Sequence, residues 1–259
     1  MMTLKNRVAV VTGASGCVGK EIVRQLVEEG MTVAVCTHGG QAAQKTIESF
    51  APEVAEHVIP LGCEMNDSID MKEKFAHLAQ QTGGIDVLIT FHGRSQEYKE
   101  QNIETLDPEY LDFTISNHLT GNYNLVREAL PYLKKSSAGR VIFTVNTNAL
   151  TGGYCDAMGV TAAKGATISL SFSLARRLAP DGITVNCIAV GGIANIPDVP
   201  NLNPDWIRQD ELYRAEDILM GRVGKPEDIA AAICYLASEE AGFVTGTVLN
   251  VSGGTYIGI

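Results

Sequence analysis

The sequence predicts an α/β fold: one doubly wound parallel sheet of seven strands with helices on both faces. Three observations carry this expectation. Short β-branched runs alternate with helix-patterned segments along the chain, no linker or internal repeat interrupts them, and a glycine-rich turn joins the first strand to the first helix. Alternation this regular makes right-handed βαβ units, which assemble into a parallel sheet covered on both sides. Residues 1–259 are therefore expected to form a single domain.

Taken in order, RVAVV (7–11) is the first strand and GKEIVRQLVEEG (19–30) a helix stopped by Gly30. TVAVC (32–36) is a strand, followed by a helix from about Gln41. HVIPL (57–61) precedes a helix over SIDMKEKFAHLAQQTGG, closed by paired glycines. IDVLIT (85–90) is a strand, and a long helix is expected from Pro108 to about Lys134. RVIFTV (140–145) and ITVNCIAV (183–190) are strands flanking a helix that PDG (180–182) ends. Pro226 starts a helix over PEDIAAAICYLASEE, and TVLNV (247–251) is the last strand. Residues 191–217 have no clear period. Their prolines and asparagines fit a lid-like insertion over a substrate, with Trp206 and Tyr213 covering it or packing on the core.

Of the 259 residues, 45% are hydrophobic, enough for a substantial core, and the net charge of −10 leaves no basic excess. That argues against nucleic acid and anionic membrane as partners, since both select basic patches. The apolar runs are strand-sized, well short of the roughly 20 residues of a membrane span. The N-terminal run ends in a glycine turn and lacks a signal-peptide pattern. Six scattered cysteines (Cys17, Cys36, Cys63, Cys155, Cys187, Cys234) make no C-x-x-C pair, which predicts reduced thiols in a cytoplasmic protein.

The turn TGASGCVGK (12–20) places Gly13, Gly16 and Gly19 between strand and helix, with Ser15, Cys17 and Val18 among them. Glycines here let the backbone approach a pyrophosphate, whose charge meets the helix N-terminus. The second strand ends in Cys36-Thr37-His38, without the carboxylate that receives a ribose 2′-hydroxyl. That leaves room for a 2′-phosphate and favours NADP(H) over NAD(H), although no arginine stands beside it. Cys17 is a small space-filler or, activated by the helix end, a redox-sensing thiol.

The chain resembles, from end to end, the compact short-chain dehydrogenase/reductase family. TGASGCVG is similar to its TGxxxGxG loop, LGCEMND (61–67) to its adenine-contacting acidic turn, IDVLITFHG (85–93) to IDxLVNNAG, and LTGNYNLVREALP (119–131) to its long interface helix. VTAAKGA (160–166) sits where the family has YxASKxA. ITVNCIAVGG (183–192) and residues 221–254 resemble its C-terminal half. The resemblance implies a Rossmann-like fold, a homodimer or homotetramer, and hydride transfer between a nicotinamide cofactor and a small-molecule carbonyl or alcohol. It also implies cofactor contacts at Gly13, Ser15, Gly16, Cys17, Val18, Thr37, His38, Glu64, Met65, His92, Gly93, Lys164, Val190, Gly191 and Ile193.

The family's catalytic set carries over only in part. Lys164 matches the lysine that holds the ribose hydroxyls and lowers the pKa of a tyrosine one turn earlier, but that tyrosine position is Val160. The serine position is Thr147, or Asn146 if the register slips by one. The asparagine position is His118, or Asn117. NNAG has become Thr90-Phe91-His92-Gly93, the proline before Gly191 is Val190, and the aspartate of the terminal DGG is Ser252. Departures cluster where the chemistry is expected, whereas turns and helix ends keep the pattern. A positioned acid or base contributes about 10²–10⁴-fold, so a dehydrogenase lacking the tyrosine needs a replacement. His118, Tyr154 and Lys164 are the candidates, with Thr147 orienting the substrate. His92 and His118 lie on separate elements without an acidic partner, so no metal is expected. Two other readings stay open: a non-redox dehydratase, isomerase or epimerase on the same fold, and a non-catalytic nucleotide-binding subunit.

Overall fold

A computed structural model of the chain describes residues 4–92, 103–104, 107–152, 158–194 and 215–258. Seven strands form one parallel sheet: β1 (Val8–Thr12), β2 (Thr32–Thr37), β3 (Val58–Gly62), β4 (Val87–Thr90), β5 (Arg140–Asn146), β6 (Thr184–Val190) and β7 (Val248–Val251). Their spatial order is β3-β2-β1-β4-β5-β6-β7. The strand bounds depart from the expected ones by no more than two residues.

Side chains alternate across the sheet because successive strand residues face opposite ways. Ala9, Val11, Val33, Val35, Val87 and Ile89 point to one side. There they meet α1 (Cys17–Glu28), α2 (Gly40–Glu48), α3 (Pro52–Ala55) and α9 (Pro226–Ala237). Val10, Ala34, Leu88, Val141 and Phe143 point to the other. That face is covered by α4 (Ser68–Thr82), α6 (Gly121–Leu133) and α8 (Met158–Leu178). The inner strands β1, β2, β4, β5 and β6 are buried on both faces, which is why each reads as a continuous apolar run, whereas the edge strands β3 and β7 are partly open. α4 starts where the Asp67 carboxylate accepts the Ile69 and Asp70 amides, and it stops at left-handed Gly83, as the paired glycines predict.

The segment expected as one helix from Pro108 is interrupted. α5 (Pro108–Ile115) passes through a π-helical turn at Ser116–Thr120 before α6 begins. Such a turn gives the helix one extra residue and re-aims the side chains in it. A short helix, α7 (Asn148–Thr151), follows β5. No helix among the described residues is long and apolar enough to cross a membrane.

Candidate active site

The strand order reverses between β1 and β4, the place where doubly wound sheets form a ligand crevice at the carboxyl ends of their strands. The glycine turn forms one wall. Gly13 has φ +69°, and a Cβ on it would lie 2.0 Å from the Phe91 carbonyl oxygen. A Cβ on Gly19 would lie 2.2 Å from the Gly13 oxygen. Packing therefore demands both glycines. Gly16 differs: beyond its chain neighbours, a Cβ there would meet only the Gly13 oxygen, at an ordinary contact distance of 3.8 Å. α1 begins at Cys17 with no side-chain cap and no acidic residue in its first turn. Its free amides and positive dipole end suit an anion, and the bare turn suits a dinucleotide pyrophosphate. Ser15 is exposed, Cys17 is half-buried against the core, and Val18 is buried.

At the end of β2, buried Thr37 leads to exposed His38, whose Nδ1 stands 3.0 Å from Glu64 Oε2. Beside this pair lies a cavity of about 440 Å³ lined by His38, Gly39, Gly40, Gln41, Ala42 and Lys45. A Cβ on Gly62 would sit 2.2 Å from the Gly40 nitrogen, so Gly62 is what lets the β2–α2 turn settle against β3. Lys45 escapes sequence reasoning because it lies inside α2, away from the strand end. The signal that points to it is a helix with no acidic residue in its first turn and a lysine in its last. Met65 is buried in the second core, and its carbonyl accepts a hydrogen bond from Asn124 Nδ2 at 3.2 Å.

Lys164 is 8% exposed, and its ammonium donates to the carbonyls of Thr144 at 3.1 Å and His92 at 3.3 Å. These oxygens come from β5 and from the residue two places beyond β4, so the cation is held by the sheet that frames the crevice. Val160, one helical turn earlier, is buried. Thr147 is buried where β5 turns into α7. Asn146 Oδ1 accepts the Ala149 amide at 3.1 Å and so belongs to that turn. Val190 ends β6, a Cβ on Gly191 would lie 2.6 Å from Ser252 Cβ, and Ile193 bridges to Gly224.

The two histidines behave differently from a pocket-lining pair. His92 turns inward. Its Nε2 donates to the Asn117 carbonyl in the π-helical turn at 3.2 Å, so Nδ1 is the acceptor and takes the Thr12 hydroxyl proton at 2.8 Å. Thr12 Oγ1 in turn accepts the Phe91 amide at 3.0 Å. Burial, then the nearby Lys164 charge, lower the His92 pKa to about 3, so the ring is neutral. The π-helical turn buries His118 at 2% exposure, with neither ring nitrogen hydrogen-bonded. Burial first, then Lys164 and His92, lower its pKa to about 2. A ring so placed does not take up a proton near neutral pH, contrary to the expectation for His118. Tyr154, Gly93, Trp206 and Tyr213 lie outside the described residues. Among the described residues no three His, Cys, Asp or Glu side chains converge as a metal site would require.

Comparison with known proteins supplies the family. A family model described as enoyl-(acyl carrier protein) reductase matches residues 13–256. The 3-oxoacyl-[acyl-carrier-protein] reductase of Staphylococcus epidermidis is 32% identical over 256 residues, covering 97% of this chain and all of that protein. The 7alpha-hydroxysteroid dehydrogenase of Bacteroides fragilis is 28% identical over 99% of this chain and 97% of its own. The solved structure of 3-oxoacyl-[acyl-carrier protein] reductase from Brucella melitensis superposes with a TM-score of 0.84 at 26% identity, covering 99% of this chain and 93% of that one. With its seven-stranded parallel sheet and its glycine turn at the strand reversal, the chain belongs to the short-chain dehydrogenase/reductase family of NAD(P)-dependent oxidoreductases.

Proposed function

We propose that this chain transfers a hydride between NADP(H), favoured over NAD(H), and a small-molecule carbonyl or alcohol, with Lys164 in place of the missing tyrosine as proton donor. The observation that carries the reading is the buried Lys164 ammonium, held by two backbone carbonyls beside the crevice. The dinucleotide, when bound, supplies the hydride. The glycine turn and the α1 N-terminus hold its pyrophosphate, and Lys164 holds ribose hydroxyls. His38 and Lys45 offer a 2′-phosphate two side chains able to carry positive charge. Thr147 orients the substrate oxygen. Val160 has no proton to give, and His118 is neutral and enclosed.

The relatives named for a 3-oxoacyl group and a hydroxysteroid share a ketone/secondary-alcohol couple, and the proposal takes only that common chemistry. Exposed Phe113 on α5, Met158 and Phe172 on α8, and Tyr235 on α9 support a homodimer or homotetramer buried through these helices. The assignment to the cytoplasm rests on the sequence.

The test combines cofactor binding with a panel of small ketones. NADPH binding tighter than NADH and ketone-dependent loss of nicotinamide absorbance are expected. Lys164→Met removes the turnover, and Val160→Tyr, which restores an acid one turn from the lysine, raises kcat by roughly 10²-fold or more. If neither dinucleotide binds, or if Val160→Tyr leaves kcat unchanged while the protein stays folded, the proposal fails.

A further inference from the structure

Cys36 is the next-to-last residue of β2, and Cys63 follows directly after β3. The strands run parallel in the register Cys36↔Leu61 and Thr37↔Gly62, and the Cys63 amide extends the ladder by bonding to the Thr37 carbonyl at 3.0 Å. Both side chains enter the same core cluster and are 0% and 1% exposed. Their sulfurs are 2.7 Å apart. Even two carbon atoms rest about 3.5–4.0 Å apart, and a thiol is only a weak hydrogen-bond donor, so packing alone does not call for this approach. A disulfide needs about 2.05 Å, a closure of less than an ångström from the present separation.

We propose that Cys36 and Cys63 form a reversible disulfide at the strand ends that lead into the cavity beside β2. Its oxidant is a low-molecular-weight disulfide, R–S–S–R. Cys63 stands at the end of the ladder and next to exposed Glu64, so it attacks first. Its thiolate, having lost its proton to solvent, bonds to one sulfur of the oxidant and releases RS⁻. The Cys36 thiolate then attacks Cys63 Sγ and releases the second RS⁻. The protein loses two protons and two electrons, and one R–S–S–R becomes two RSH.

The bond joins residues 27 positions apart and closes a loop containing α2, α3 and β3. That loop carries Gly39, Gly40 and Lys45, so the cross-link ties the segment that lines the cavity to the ends of β2 and β3. The shared S–H···S contact and burial hold the Cys36 thiol well above its ordinary pKa. The second step, which needs the Cys36 thiolate, is therefore slow at neutral pH and faster as the solution becomes alkaline, because the thiolate is the nucleophile.

The test uses the full chain and glutathione disulfide as the probe, at mildly alkaline pH, with thiol counting and non-reducing peptide mapping. Two of the six cysteine thiols should disappear, recovered as one peptide pair linking 36 to 63, and dithiothreitol should restore them. The linked protein should melt roughly 5 °C or more above the reduced form. Cys36→Ala and Cys63→Ala should each abolish both changes. If one variant fails to fold, the other and the peptide map still decide. Retention of all six thiols, a linkage between other cysteines, or glutathione left attached to either residue would overturn the proposal. The outcome does not depend on which dinucleotide binds.

Discussion

Replacing His118 by leucine, a side chain of similar volume, should stabilise the fold and flatten its response to acid. Both imidazole nitrogens are buried without a hydrogen-bond partner. Each such group costs about 1–3 kcal/mol, so even the lower bound for the pair gives a gain of about 2 kcal/mol at neutral pH. For a chain of this length that is a Tm rise of about 4–8 °C. A second, independent magnitude comes from protonation. The native ring has a pKa of about 2, whereas an exposed histidine titrates near 6.5. The folded-state pKa is depressed, so the ring's contribution is fully present above about pH 6.5. It is lost as the pH falls, because the unfolded chain binds the proton first. By pH 5 the wild type has lost about 2 kcal/mol through this residue, at about 1.4 kcal/mol per pH step. The leucine variant has no such loss, and His92, present in both proteins, cancels in the comparison. The gap between variant and wild type should therefore widen from about 2 kcal/mol at pH 7 to about 4 kcal/mol at pH 5. Urea midpoints at the two pH values measure it. A variant less stable than wild type at pH 7, or a gap that does not widen at pH 5, would refute the reasoning.

Three further outcomes follow from the geometry. Gly13→Ala puts a Cβ 2.0 Å from the Phe91 oxygen at a left-handed backbone position, so thermal melting should show a loss of at least about 1–3 kcal/mol. Thr12→Val leaves His92 Nδ1 and the Phe91 amide without their shared hydroxyl, which should cost about 2–6 kcal/mol in urea denaturation, whereas Thr12→Ser should restore most of it. Lys45→Ala should weaken NADPH binding roughly tenfold and leave NADH binding nearly unchanged, as read by fluorescence titration, because only the former carries a 2′-phosphate.

The sheet and most helices were legible because their signals are local. β-branched runs of five or six residues between glycine and proline punctuation can hardly be anything but buried strands, and Asp67 and Gly83 announce the two ends of α4. The π-helical turn was not legible. Residues 108–133 keep a helical period throughout, and the extra residue at Ser116–Thr120 appears only when the segment packs against α8 and the loop after β4. The same limit applies to His92. Its place after β4 was legible, but its inward rotation depends on Thr12, eighty positions earlier. Cys36 and Cys63 likewise meet only because β2 and β3 are neighbours. Sequence spacing fixes what a helix face presents. It does not fix which distant partner turns a side chain away from the pocket.

That rotation bears directly on the missing tyrosine. The Phe91 amide, the Thr12 hydroxyl, the His92 ring and the Asn117 carbonyl form one directed series of hydrogen bonds, and it ends on a backbone oxygen, which can accept but not relay a proton. Every proton in the series is already committed, and the one ring in it titrates near 3. The series therefore serves as a brace: it fixes the backbone at His92, whose carbonyl is one of the two that grip Lys164. His118, on the other side, is neutral and has no partner to pass a proton to. Both histidines lie close enough to the ammonium for its charge to lower their own pKa values, and neither can substitute for it. Under the function proposed above the proton leaves from Lys164, and the brace that aims the lysine becomes as necessary as the lysine itself. Thr12→Val should then lower kcat along with stability, and Gly13→Ala, whose Cβ would press on the Phe91–His92 backbone at the start of the same brace, should lower both as well.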